Sequence, residues 1–153
     1  MNQLHAMRDY NYWANTRTLA TIEAAENAEP KILELFSHIM NAELVWMARM
    51  KQSESLPPWQ LHTLEECRNL MEKNNDEYTE FLAWLRPDEL KRELTFTDSR
   101  GGTHSMVMRD IFTHVFNHGT YHRGQIALLL RRGGDEPVGT DYMLYARTAP
   151  KAG

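Results

Sequence analysis

His114, His118 and His122 recur at four-residue intervals in "HVFNHGTYHRGQ", a concentration of three of the chain's seven histidines. On a helix, side chains four apart stack on one face roughly 6 Å from each other, close enough for two imidazoles to share an ion. Residues eight apart are separated by about 12 Å along the axis, too far for two nitrogens that each sit ~2.1 Å from one metal. His114 and His122 therefore cannot serve the same centre, while His118 can pair with either. This helix supplies at most two ligands to one ion.

A catalytic divalent site ordinarily has three protein ligands and leaves positions open for water or substrate, so a third ligand must come from another segment. His38 is the best candidate. It lies midway along "KILELFSHIMNAELVWMARMKQ", where Leu35, Ile39, Ala42 and Trp46 share an inward face. A neutral imidazole among such neighbours needs a polar partner, and a metal would provide one. Three neutral nitrogens suit zinc, nickel, iron or copper, and ligand type does not choose among them.

The remaining polar residues carry less. His114 is expected in a supporting or core role. His5, His62 and His104 fall near a terminus or loops and are expected to be solvated, with His104 within reach of the open end of the fold. Glu43 follows His38 by five positions, about 140° round a helix, and reads as a surface charge rather than a co-ligand. Asn117, Thr120, Tyr121 and Gln125 flank the ligand face and read chiefly as packing groups, able to orient a bound water. The single cysteine, Cys67, excludes an intrachain disulfide, and its acidic helical surroundings point to a half-buried, unreactive thiol. No Glu sits inside the histidine motif, so the H-E-x-x-H logic of metalloproteases is absent. "RGGTH" and "RRGGDE" are glycine turns, and neither a phosphate loop nor a nucleophile elbow occurs.

Four helical segments must position these residues. The first spans about Asn2 to Ala25, with Leu4, Met7, Tyr10, Trp13 and Ala14 at three- and four-residue spacings. The second opens at Pro30, a favourable first-turn residue, and ends before "SLPPW". The third begins at Thr63, with Glu66 completing a capping box, and stops at Arg86 before Pro87. Residues in "ELTFTDSRGGTHSM" have β character around a turn at Ser99 to Gly102, which predicts a short β-hairpin or extended insertion. Ser105 is the expected N-cap of the fourth helix, which runs to about Arg132 and is closed by Gly133-Gly134. Tyr142 and Tyr145 are expected to pack on the bundle. The pattern predicts an all-α four-helix bundle with that insertion before the last helix, one domain over residues 1–148 and a frayed tail at 149–153. The links leave the order of the helices open.

Composition narrows the function. A formal charge of −4, with no basic run longer than Arg131-Arg132, argues against a nucleic-acid surface. No apolar stretch approaches the roughly 20 residues of a membrane span, and the N-terminus lacks a signal-peptide pattern. A cytoplasmic protein is expected.

Three stretches, "YNYWANTRTL", "LFSHIMNAELVW" and "HVFNHGTYHRGQI", together with the ending "EPVGTDYMLYAR", resemble the DinB/YfiT-like family of damage-inducible, metal-binding bundles. The likeness runs over nearly the whole chain, and "YHRGQ" with a histidine four residues upstream is its most specific part. It implies up-down-down-up connections, frequent homodimers and a divalent metal held by His38, His118 and His122, so it selects the later histidine pair. Zinc or nickel is the first expectation, with iron or copper also compatible. Relatives of this fold include thiol-dependent S-transferases and an isomerase. The resemblance therefore implies a metal-dependent transferase or hydrolase acting on a small molecule, with a low-molecular-weight thiol as a candidate partner, in a stress or detoxification role. The alternative is a non-catalytic, stress-induced metal-binding or structural bundle. A wide apolar pocket lined by Trp13, Trp46 or Tyr121 would favour the enzyme.

Overall fold

Each helix starts and stops where its residues satisfy or deny backbone hydrogen bonds. The structure is a computed structural model and describes residues 1–26, 28–98 and 100–148, so the tail expected to fray at 149–153 lies outside the described residues. Helix α1 spans Asn2–Ala24, α2 Pro30–Lys51, α3 Leu64–Trp84 and α4 Met108–Gly133. Strands β1 (Glu93–Thr97) and β2 (Thr103–Val107) precede α4, and a short α5 (Tyr142–Thr148) follows it. Pro30 occupies the first turn of α2. The capping box of α3 forms as expected: the Glu66 N–H donates to Thr63 Oγ1 at 3.2 Å, and the Thr63 N–H donates to Glu66 Oε2 at 2.7 Å. At the other end α3 stops at Trp84, two residues short of Arg86, because Leu85 is already extended ahead of Pro87. Gly134 closes α4 in the left-handed conformation at φ 95°, which only glycine adopts without strain.

The start of α4 differs from expectation. Ser105 is not its N-cap; it lies in β2 opposite Thr95, with the two hydroxyls 2.9 Å apart. The antiparallel pairing of Glu93–Thr97 with Thr103–Val107 claims those residues, so the helix begins only at Met108. The Met108 N–H donates to Arg92 O at 2.9 Å, which ties the helix start to the chain entering β1. No helix among the described residues is long and apolar enough to cross a membrane.

Side-chain pairs give the direction of every helix. On α1 and α3, Tyr12 meets Glu72 and Glu23 meets Arg68, so these two run antiparallel. On α2 and α3, Ser37 meets Cys67 and Lys51 meets Glu77, so these run parallel. His38 of α2 meets His118 of α4, and an apolar cluster joins Met47 and Met50 to Ile111 and Phe112 at the other end, so α2 and α4 are antiparallel. The result is an up-down-down-up bundle with α1 and α2 on a diagonal.

Two apolar layers fill it. One holds Leu4, Trp46, Met47, Leu82, Ile111 and Phe112; the other holds Leu19, Ile32, Phe36, Met71, Ile126 and Leu130. Between them lies a polar layer to which all four helices contribute. Glu43 of α2, expected at the surface, is buried there. Its Oε1 accepts from Asn11 and Asn15 of α1 at 2.7 and 3.0 Å, and its Oε2 accepts from Asn74 of α3 at 2.9 Å. Arg123 of α4 donates Nη1 to the Oδ1 atoms of the same Asn11 and Asn15, at 2.8 and 2.7 Å. Two amides thus relay a carboxylate to a guanidinium. Burial pushes the Glu43 carboxyl up, and the three amide donors with Arg123 offset only part of that rise. Gly119 leaves the room this requires, since a Cβ there would sit 2.8 Å from both Arg123 Nη1 and Asn11 Oδ1.

Removing one member of a buried charge pair strands the other in a low-dielectric interior. Glu43→Ala should lower the unfolding free energy by about 3–5 kcal/mol in urea titrations at neutral pH. The double variant Glu43→Leu with Arg123→Met should recover part of that loss, and an additive result would show that the two charges are not coupled.

Candidate metal centre

Because α2 and α3 are parallel, the chain must travel back along the bundle between them. From Lys51 to the level of Ser37, where α3 begins, is about 20 Å at 1.5 Å per residue, within reach of the twelve-residue link 52–63. Gln52, left-handed at φ 56°, turns the chain out of α2. One turn of α2 then holds the returning segment. The Ser37 hydroxyl accepts the His62 N–H at 3.1 Å, Asn41 Nδ2 donates to Gln60 O at 2.7 Å, and His62 Nε2 donates to Asn41 Oδ1 at 2.7 Å. His62, expected in solvent, is therefore buried.

This segment dresses His38. Its Nδ1–H donates to Pro58 O at 2.7 Å, and the Trp59 indole stacks on its ring at a centroid distance of 3.6 Å and an interplanar angle of 2°. A carbonyl can only accept, so Nδ1 carries the proton and Nε2 presents a lone pair. His122 is prepared in the same way from its own helix, with Nδ1 donating to Gln125 Oε1 at 2.7 Å. The two lone pairs aim at His118, whose Nε2 lies 3.2 Å from that of His38 and 3.1 Å from that of His122.

Those two separations suit a shared cation, and the ligand nitrogens of all three histidines lie within 4.8 Å of one another. Three nitrogens each ~2.1 Å from an ion stand about 3.0–3.4 Å apart between octahedral and tetrahedral angles. His118 Nε2 can donate at most one proton, so without a cation at least one of these two contacts would lack a well-aligned hydrogen bond. The donor set fits a divalent ion. Burial, followed by the charges His122, His38 and His114 would carry, lowers the pKa of His118 to about 3. Burial also lowers that of His38, against the pull of its bond to Pro58. Both imidazoles are thus held in the neutral form that binds metal.

The trio is accessible. His38 and His118 line a cleft of about 500 Å³ with Trp46, Arg49, Trp59 and Phe96. His122 lines a second cleft of about 430 Å³ with Tyr121 and Gln125 on the far side of Trp59. Trp59 is 56% exposed and forms the partition.

The structure thus brings together His38, His118 and His122, the three histidines expected at one centre, as a group that could hold a metal. Other expectations change. His114 is neither ligand nor core; it is exposed, its ring edge against Trp46 at 5.2 Å and 5.6 Å from that of His118. His104 pairs with Asp98 at 2.8 Å on the hairpin. Cys67 is fully buried rather than half-buried, and burial pushes its thiol up. Trp13 packs on Tyr10 and Tyr145, away from both clefts, while Tyr142 and Tyr145 cover α1 as expected. Sequence reading missed the roles of Pro58, Trp59 and Asn41. Their signal was a proline-rich link long enough to run alongside a helix.

The DinB family model matches residues 1–152. Protein DinB of Bacillus subtilis (strain 168) is 26% identical over 156 residues, spanning 90% of this chain and 90% of that protein.

The pH dependence of the metal-free protein follows from His118. The unfolded chain takes up its proton near pH 6.5, whereas the native site resists until about pH 3. Stability contributed by the neutral imidazole is therefore present above pH 6.5 and lost as the pH falls from 6.5 towards 3. Urea midpoints measured in chelator should fall over that window more steeply for the wild type than for His118→Gln. Parallel profiles would refute the assignment.

Proposed function

The chain belongs to the DinB family, and we propose that it is a divalent-metal-dependent enzyme, a thiol S-transferase or hydrolase acting on a small molecule in stress or detoxification. The observation that supports this reading most is the open position of the three imidazoles, with His38 and His118 on the wall of a cleft also lined by Trp46 and Trp59 and His122 on the wall of the cleft beyond Trp59. Among the described residues no carboxylate or thiol joins the trio as a fixed fourth ligand. A sequestering protein would close its site, whereas a catalytic one keeps positions for water or substrate. Zinc or nickel suits three imidazoles, as would iron or copper. A divalent ion there would lower the pKa of a ligated thiol or water and supply a nucleophile at neutral pH.

The chain's own residues divide the work. His38, His118 and His122 would hold the ion. Pro58 and Gln125 fix the tautomers of two of them, and Trp59 separates the approach into two clefts.

Protein purified without a histidine tag should carry close to one divalent ion per chain by elemental analysis, and added zinc or nickel should raise Tm. Absence of both effects would sink the metal reading. His122→Ala should lose the ion while His114→Ala keeps it. Gln125→Ala should weaken metal affinity by about 10–100-fold, the usual effect of removing a group that orients a ligand. With the metal bound, a panel of small thiols and electrophiles should reveal turnover that His122→Ala lacks.

A further inference from the structure

Arg49 lines the same cleft as two of the metal-competent histidines, His38 and His118. It lies three residues after Trp46 on α2, and its guanidinium carbon is 4.5 Å from the Trp46 ring centroid and 4.7 Å from that of Phe96 on β1. Among the described residues its hydrogen bonding is confined to one contact, Nη2 to Thr97 O at 3.1 Å. Fastening the hairpin to α2 needs that single N–H, and the rest of the fork remains available. Asp98 also lines the cleft, but its oxygens are committed elsewhere. Oδ2 accepts from His104 at 2.8 Å, and Oδ1 accepts from the backbone N–H groups of Arg100 and Gly102 at 2.8 and 2.9 Å. No described carboxylate lies within ion-pair distance of Arg49.

The cleft therefore has metal-competent histidines and, eleven residues after His38 along α2, a half-buried cation packed against two aromatic rings. An arginine is charged at every physiological pH, and its planar fork matches a carboxylate through two parallel bonds. We propose that Arg49 is the anion-recognition residue of this cleft, and that the molecule bound across the histidines carries a carboxylate remote from its metal-ligating atom. The proposal rests on the metal reading above. A single negative charge is the better match, because one guanidinium beside an ionised Asp98 cannot neutralise a phosphate dianion.

The test uses nickel-loaded full-length protein and a series of thiols from mercaptopropionate to mercaptohexanoate, each beside its primary amide. The sulfur-to-nickel charge-transfer band reports ligation and gives Kd without any turnover. At one or more chain lengths the acid should bind tighter than the amide by about tenfold or more, the scale of a charge-assisted pair. Arg49→Met, which keeps the packing against Trp46 and Phe96, should abolish that preference with nickel content unchanged. Arg49→Lys should retain part of it. If the acids bind no tighter than the amides in the wild type, or if Arg49→Met weakens both equally while lowering Tm, Arg49 is a hairpin fastener and the inference fails. If nickel does not bind at all, the metal reading fails instead, so the two failures are distinguishable.

Discussion

One buried carboxylate sets the register of the whole bundle. Glu43 accepts from Asn11, Asn15 and Asn74, and through the first two it is relayed to Arg123, so all four helices meet in one layer. Apolar layers alone tolerate small slides of one helix along another, because one methyl group substitutes for the next. A slide of one helical turn, about 5.4 Å, would break every hydrogen bond of this layer and leave charges buried without partners. The histidines inherit that register. His38 lies five residues before Glu43, and His118 and His122 each immediately precede a residue of the polar layer, Gly119 and Arg123. Residues 122 and 123 point about 100° apart on the helix, one towards the cleft and the other into the polar layer. Fixing Arg123 therefore fixes His122.

The direction of the helices matters as much as their register. With α2 and α3 parallel, the connecting segment has to run back along α2, and that path brings Pro58 and Trp59 over His38. A tight antiparallel hairpin would have left His38 without its acceptor and exposed to solvent. The protonation state of a candidate ligand thus depends on the topology of the chain, through one backbone carbonyl.

Three neutral ligands would leave the charge of a divalent ion uncompensated. Such a centre favours an anionic fourth ligand, a thiolate or hydroxide, over a neutral one. Arg49 extends the same bias across the cleft, in a molecule whose formal charge is −4.

Much of this was legible from residue order alone. The four helices, the capping box at Thr63 and the glycine stop at Gly134 follow from local hydrogen-bond chemistry, which acts within a few residues. The four-residue histidine spacing limited one ion to two ligands from α4, because helix geometry is fixed. Other features were decided only by tertiary structure. Ser105 has the chemistry of an N-cap, yet pairing with β1 claimed it for a strand. Glu43 looked like a surface charge, because its amide partners lie on α1 and α3, twenty-eight or more residues away. His62 and Pro58 gained their roles when the return link was laid against α2. Sequence specifies interactions that close over a turn of helix. The burial of a charge and the tautomer of a histidine depend on partners that only the assembled bundle brings within hydrogen-bonding distance.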